Sequence, residues 1–392
     1  MLLRLRGGPL NLRGGRLVSA GAGAGPLVLA LRGASFPASG RAAAMSSQPA
    51  AWDASRDALP GGGSVVSTSF LAAQLGRVTL LDASWFLPAA KRDGKLEHAL
   101  RRIPTARHFD INAPGLCDAA SPLPHMLPRA RELGAALAAL GVRHGRAVVV
   151  YDSQGLFSAA RAWYQLRAFG HPRVAVLEGG LPRWLAEGRP VATEAEDAAE
   201  EAALAGIEAA ELGAPAPEVE EWVLDEARVR GLAQVREAAA QRARLAGAAD
   251  AADALRGAEL LLDARPAARF AGAEPEPRAG LRSGHVPGAR SVPHSSVLDS
   301  ANHNALLPRE RLVEVFRSAG VDVARPGALV ASCGSGVTGC VLALALVQAG
   351  RPLERTALYD GSWAEYGAAA GAEAPLAVGA PEGDAETEAL NK

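Results

Sequence analysis

The sequence predicts an α/β protein made of two tandem copies of one domain, each a parallel sheet covered by helices on both faces. Three observations carry this. Short apolar runs such as Val148–Val150 and Leu329–Ala331 are bounded by polar or glycine turns, which suits strands buried on both faces. Helical patterns alternate with them at Ala130–Leu140, Ser158–Phe169, Arg309–Ser318 and Thr338–Gln348, and such alternation places a parallel sheet between helical layers. The pattern is also written twice. Leu80-Leu-Asp-Ala83 returns as Leu261-Leu-Asp-Ala264, Ile103-Pro-Thr-Ala106 as Val286-Pro-Gly-Ala289, and Val148-Val-Val-Tyr-Asp152 as Leu329-Val-Ala-Ser-Cys333. Leu177-Glu-Gly-Gly with Trp184 is matched by Leu358-Tyr-Asp-Gly with Trp363. Pro104 precedes Asp152 by 48 residues and Pro287 precedes Cys333 by 46, so the repeat is of whole domains rather than of short motifs.

From the N-terminus onward, each segment has its own composition. Residues 1–52 contain Arg4, Arg6, Arg13, Arg16, Arg32 and Arg41 and no acidic residue before Asp53. That pattern predicts a mitochondrial transit peptide directing the chain to the matrix; a secretory signal and a glycine- and alanine-rich tail are the alternatives. The apolar stretch Ala20–Leu31 is too short and too rich in glycine to span a bilayer. Initiation at Met45 would give a cytosolic form. The first domain is expected at 60–190 and lacks the reactive thiol described below. An acidic linker follows at 191–219, within a stretch from Glu194 to Glu221 that holds ten acidic residues and no basic one. A docking strip for a basic partner is its alternative reading. The second domain is expected at 220–372 and a mobile tail at 373–392.

The 392 residues exceed the usual size of one core, and 49% are hydrophobic, enough for two. A net charge of -1 supplies no general attraction to nucleic acid or to an anionic membrane, and neither is expected as a partner. Three cysteines, Cys117, Cys333 and Cys340, are too few for a secreted disulfide framework. No C-x-x-C pair or Cys/His cluster stands at ligand spacing, so no metal is expected.

The chemistry is expected at Cys333. In parallel α/β sheets, sites form just beyond the carboxyl ends of strands. Cys333-Gly-Ser-Gly-Val-Thr338 follows such a strand and opens a helix. Small residues let successive backbone N–H groups turn inward as an anion nest, which lowers a thiol from its free pKa of about 8.5 and can hold a persulfide anion. Cys340 reads as core. An arginine six positions after the thiol, needed by cysteine phosphatases, is replaced by Gly339.

This loop resembles the active-site loop of the 3-mercaptopyruvate sulfurtransferases, a tandem-domain branch of the rhodanese superfamily. The likeness runs from about Leu80 to Trp363 and includes Leu81-Asp-Ala-Ser-Trp85, His125-Met-Leu-Pro128, Arg167-Ala-Phe-Gly-His171 and Gly272-Ala-Glu-Pro-Glu-Pro-Arg278. It implies two rhodanese-like domains and transfer of sulfur from 3-mercaptopyruvate, through a Cys333 persulfide, to thioredoxin, a small thiol or cyanide. No cofactor is implied. Arg269 and Arg278 would hold the substrate's carboxylate and carbonyl, for which planar guanidinium forks are suited; Gly334, Gly336, Val337 and Thr338 would surround it. Ser335 and His125 match the family's proton-moving serine and histidine. Asn112 stands where the family has an aspartate, in a loop about two residues longer; it could orient His125 without supplying charge, and Asp110 or Asp118 are the alternative acids. The first domain's Asp152 loop would buttress the cleft, with Phe157 near the substrate and Arg161 behind. Basic residues suited to thiosulfate are absent at Gly334 and Ser335, which favours a singly charged keto acid. A thiosulfate:cyanide sulfurtransferase and a weakly catalytic persulfide-relay module remain the rival readings.

Overall fold

The computed structural model describes residues 63–193, 220–246, 250–368, 374–380 and 385–390. The expected transit peptide, most of the acidic linker and Met45 lie outside them. In the first domain the chain runs β1 (Val65–Val66), α1 (Thr68–Gln74), β2 (Thr79–Asp82), α2 (Gly94–Leu100), β3 (Arg107–His108), α3 (Ala130–Ala139), β4 (Val148–Tyr151), α4 (Ala159–Ala168), β5 (Val174–Leu177) and α5 (Gly180–Ala186). In the second it runs β6 (Val229–Arg230), α6 (Leu232–Leu245), α7 (Ala251–Gly257), β7 (Leu260–Asp263), α8 (Ala267–Phe270), β8 (Arg290–Ser291), β9 (Leu298–Asp299), β10 (Ala305–Leu306), α9 (Arg309–Ser318), β11 (Leu329–Ser332), α10 (Gly339–Gln348), β12 (Thr356–Tyr359), α11 (Ser362–Tyr366) and α12 (Ala385–Leu390).

The predicted doubling is present in the sheets. One has the order β1-β5-β4-β2-β3 and the other β6-β12-β11-β7-β8, every pairing parallel. Central strands β4 and β11 are buried along their whole length, as runs without alternation require. Pairing Asp82 with Tyr151 and Asp263 with Ser332 brings the two Leu-Leu-Asp repeats to the strand ends that precede Asp152 and Cys333.

The two domains share a core. Helix α4 packs against α10, and their side chains belong to one cluster that joins Leu81, Val148 and Val150 to Leu262, Leu329 and Ala331. In α10 the run from Gly339 to Leu346 is buried on every side, the pattern of a helix enclosed between layers.

Two expectations change. The second domain is not entered at 220: Trp222 is buried against the first, its ring stacked 4.1 Å from His144, Glu220 accepts the His144 N–H at 2.9 Å, and the Asp225 N–H donates to Ala168 O. Indole burial and a satisfied carboxylate hold this stretch on the first domain, and the second sheet starts at Val229. Nor are the described parts of 373–392 a loose tail. Ala377 bridges His285, Tyr366 Oη donates to Pro375 O, and Glu386 is buried with Arg242 at 3.1 Å and Arg325 at 3.2 Å. The Arg242 and Arg325 guanidinia give the last helix its anchor; an acidic, alanine-rich composition concealed it.

Candidate functional site

Cys333 follows the last residue of β11 and is only 2% exposed. Its N–H donates to Ser362 Oγ at 3.2 Å, and Ser362 Oγ donates to Tyr359 O. The carbonyls of Cys333 and Gly334 accept the N–H groups of Trp363 and Ala364, both at 2.9 Å. The short helix α11 therefore straps the outer side of the loop. Gly336 turns it, with φ +79°; a Cβ there would stand 2.8 Å from Asp360 O, so glycine is required by both conformation and space. Val337 and Ser335 are buried, while Gly334 and Thr338 are partly open. Cys340 lies behind the loop, its Sγ–H donating to Gly336 O at 3.2 Å. Burial pushes its pKa up to about 12, so it stays a thiol, as its reading as core requires.

The first domain supplies the facing wall. His125 has φ +61°, uncommon for a side chain of this size, and its Nδ1 is 2.6 Å from Asn112 Oδ1. The amide oxygen only accepts, so Nδ1 carries the hydrogen and Nε2 is left as an acceptor. Burial first, then the Arg161 and Arg278 guanidinia, lowers the His125 pKa to about 3; the ring is neutral at ordinary pH. Trp85 meets it edge-on at 4.7 Å and lies parallel to Phe157 at 6.3 Å. Phe157 in turn meets His294 of the second domain at 5.9 Å. Asp110 and Asp118, the alternative acids, accept N–H groups from Asn112 and Ala120 in their own turns, and the neutral Asn112 is the residue that touches His125.

Arg278 reaches the loop: its Nη2 donates to Ser335 Oγ at 3.3 Å. Arg269 instead lies 3.6 Å from Glu276, near enough to His294 to add to the burial that lowers that ring's pKa. Glu276 is held by Arg265 at 2.7 Å, which also grips Asp263 at 2.6 Å and covers the Trp363 ring at 4.1 Å. The loop carrying both candidate arginines is thus fastened to the end of β7. Cys333, Ser335, Arg278, His125 and Asn112 are brought together; Ser335 and His125 share no hydrogen bond, and Arg269 makes none to the Cys333 loop.

Sequence reasoning missed Ser362, Asp360 and His294. The first two lie in Tyr359-Asp-Gly-Ser-Trp363, at the end of the second repeat, where the likeness to Leu177-Glu-Gly-Gly marked a turn but not its role against the thiol loop. Among the described residues no three His, Cys, Asp or Glu side chains gather as a metal ion would need.

The chain is similar to known sulfurtransferases. Residues 71–187 match the rhodanese-like domain family. The chain is 37% identical over 316 residues, 77% of its length and 75% of the relative's, to the mitochondrial thiosulfate/3-mercaptopyruvate sulfurtransferase 1 of Arabidopsis thaliana. It is 36% identical to the 3-mercaptopyruvate sulfurtransferase of Homo sapiens, covering 73% of this chain and 84% of that one. Among solved structures, the 3-mercaptopyruvate sulfotransferase SseA of Escherichia coli superposes with a TM-score of 0.59 at 31% identity, over 77% of this chain and 99% of that one.

Proposed function

The chain belongs to the 3-mercaptopyruvate sulfurtransferase family of the rhodanese superfamily, and we propose that it moves sulfur from 3-mercaptopyruvate to a thiol through a persulfide on Cys333. The observation that carries this is the convergence of a buried thiol in a glycine-built loop with a cation, Arg278, on that loop's serine. The Cys333 thiolate attacks the substrate sulfur. A sulfur–sulfur bond forms, the carbon–sulfur bond breaks, and its electron pair leaves on carbon as the enolate of pyruvate, which takes up a proton. Arg278 and the loop amides stabilise the negative oxygen, and Arg269, on the same segment as Arg278, holds the carboxylate. His125, neutral with Nε2 free to accept, orients a donor hydrogen and does not store the proton; Ser335 or water supplies the enolate's proton. A thiol acceptor, thioredoxin or a small dithiol, then attacks the outer sulfur, and its second thiol releases hydrogen sulfide. Cyanide would leave as thiocyanate.

A singly charged keto acid fits better than thiosulfate, because Gly334 and Ser335 put no cation beside the sulfur while Arg278 approaches from one side only. Incubating the protein with each donor and weighing the Cys333 peptide tests the choice: an added 32 Da from 3-mercaptopyruvate is the expected mass change of one sulfur atom, about 32 Da by its atomic weight, and gain from thiosulfate alone would reverse it. The arginine-rich residues 1–52 are proposed to carry the chain into mitochondria, in keeping with the mitochondrial relative. Fused to a fluorescent reporter they should take it there; diffuse fluorescence would refute this.

A further inference from the structure

Arg161 belongs to the domain that lacks the reactive thiol, yet it is 1% exposed and its guanidinium reaches three groups at the site. Its Nη1 donates to Asp360 Oδ1 at 2.7 Å and to Gly336 O at 3.2 Å. Its Nη2 donates to His125 O. Asp360 completes the circuit, its Oδ2 accepting the Leu127 N–H at 2.7 Å. One buried ion pair thus ties the His125 segment of the first domain to the thiol loop and the end of β12 of the second. We infer that Arg161, paired with Asp360, is a positioning residue for sulfur transfer: it sets where His125 and the Cys333 loop stand relative to each other.

Three further observations support this, and the inference rests on the function proposed above. His125 holds a positive φ, a conformation that persists only where its surroundings over-determine it; bonds to its carbonyl and to the Leu127 N–H fix the chain just after it, and Asn112 fixes its ring. The Gly336 carbonyl is held from behind by Arg161 and by the Cys340 thiol. A trans peptide is planar with C=O and N–H opposed, so fixing that carbonyl aims the Val337 N–H the other way, into the curl of the loop. Finally, the fold does not need the charge. Counting from Asp152 and Cys333, the counterpart of Arg161 in the second domain is Leu342, fully buried and apolar. Buried ion pairs are weak devices for stability, and setting register is their best-attested use.

The test uses the full chain with Arg161→Lys, which keeps a charge for Asp360 but lacks the fork to reach two carbonyls, and with the double variant Arg161→Met/Asp360→Asn, which removes the buried charges together. Folding is checked by thermal melting. In folded variants we expect kcat with 3-mercaptopyruvate to fall by about tenfold or more, as misplacement of reacting groups does, while KM stays within about threefold. Alkylation of Cys333 at a fixed pH should slow, because the loop amides are no longer aimed at the sulfur. The lysine variant should lie between the double variant and the parent, and it alone decides the matter if the double variant does not fold. A folded variant with the parent's kcat and alkylation rate would overturn the inference, as would a loss confined to KM. Alkylation needs no sulfur donor, so it tests the clamp even if the parent takes no sulfur from 3-mercaptopyruvate, the result that would instead defeat the proposed function.

Discussion

Asp152 and Cys333 occupy the same step after the same strand in two copies of one domain, and they use it oppositely. In the first copy the carboxylate turns back into its own loop: Oδ1 accepts the Gln154 N–H at 2.9 Å, and Oδ2 accepts those of Phe157 at 2.7 Å and Ala159 at 2.9 Å. Burial raises the Asp152 pKa, and these three amides oppose the rise. Glycine turns both loops, Gly155 with φ +97° and Gly336 with φ +79°. Gly155 is pressed against His303 O, so closely that a Cβ would overlap it at 1.8 Å. The first loop is therefore filled by its own side chain and sealed by its neighbour. In the second the side chain is a thiol with no charge-bearing oxygens, and the amides are left for charge that arrives with sulfur. The fold supplies an anion cradle twice; chemistry follows only where the cradle is not already satisfied.

The largest expected effect comes from the thiol itself. Cys333→Ser should lower transfer by at least about a thousandfold, as loss of a nucleophile does, while Cys340→Ser retains most activity. Adding Asp152→Cys to the Cys333→Ser protein should restore nothing, since that loop is closed by His303. Recovery of transfer, followed by thiocyanate formation, would break the comparison by showing that any thiol at this step suffices.

Next come the cations of the second domain, Arg278 against the thiol loop and Arg269 beside it on α8. Arg278→Ala and Arg269→Ala should each cost about 1.5–3 kcal/mol, roughly ten- to a hundredfold in kcat/KM for 3-mercaptopyruvate, with lysine recovering part. A sulfur donor without a carboxylate should be far less affected. Full activity in both alanine variants would favour the relay-module reading.

The glycines sharpen the contrast more finely. Gly336→Ala and Gly155→Ala each place a side chain at positive φ, a strain of about 1–3 kcal/mol, and each meets backbone oxygen. Urea unfolding should show both losses, the larger at Gly155. Turnover per folded molecule should fall only for Gly336→Ala; equal falls would mean that the sealed loop also shapes the cleft.

The smallest effect is on pH. His125 has a folded pKa near 3 against 6.5 unfolded, so the unfolded chain binds the extra proton between those values. The associated stability is complete above pH 6.5 and declines as pH falls toward 3. His125→Gln should flatten that part of a stability–pH curve. The kcat/KM profile should show no imidazole step near pH 6.5 from this residue, and Asn112→Asp, by putting a carboxylate on Nδ1, should raise the His125 pKa and bring a step into view.

What the sequence made legible was local. Strands, helices and the thiol loop follow from short windows: Arg309–Ser318 is the helix its pattern predicts, and α4 and α10 each start one residue later than expected. The doubling was legible because it repeats those windows. The Arg161–Asp360 pair joins residues 199 apart in the chain, and nothing near either announces the other. Trp222 was expected to open the second domain because the acidic run ends beside it, while its ring packs on His144 and His171, far back in the chain. Ser335 and His125 were expected to be coupled, yet the serine hydroxyl turns to Arg278, a choice fixed by the three-dimensional approach of a separate loop.

The shared core under α4 and α10 bears on the history of the molecule. A duplicated gene ordinarily frees one copy to decay, but here the copy without the reactive thiol covers the apolar surface of the copy that has it. Losing the first domain would strip α10 of its partner and expose a helix with no polar face, an aggregation hazard by itself. With the two halves packed this way, a change that unfolds the silent half also uncovers the active one.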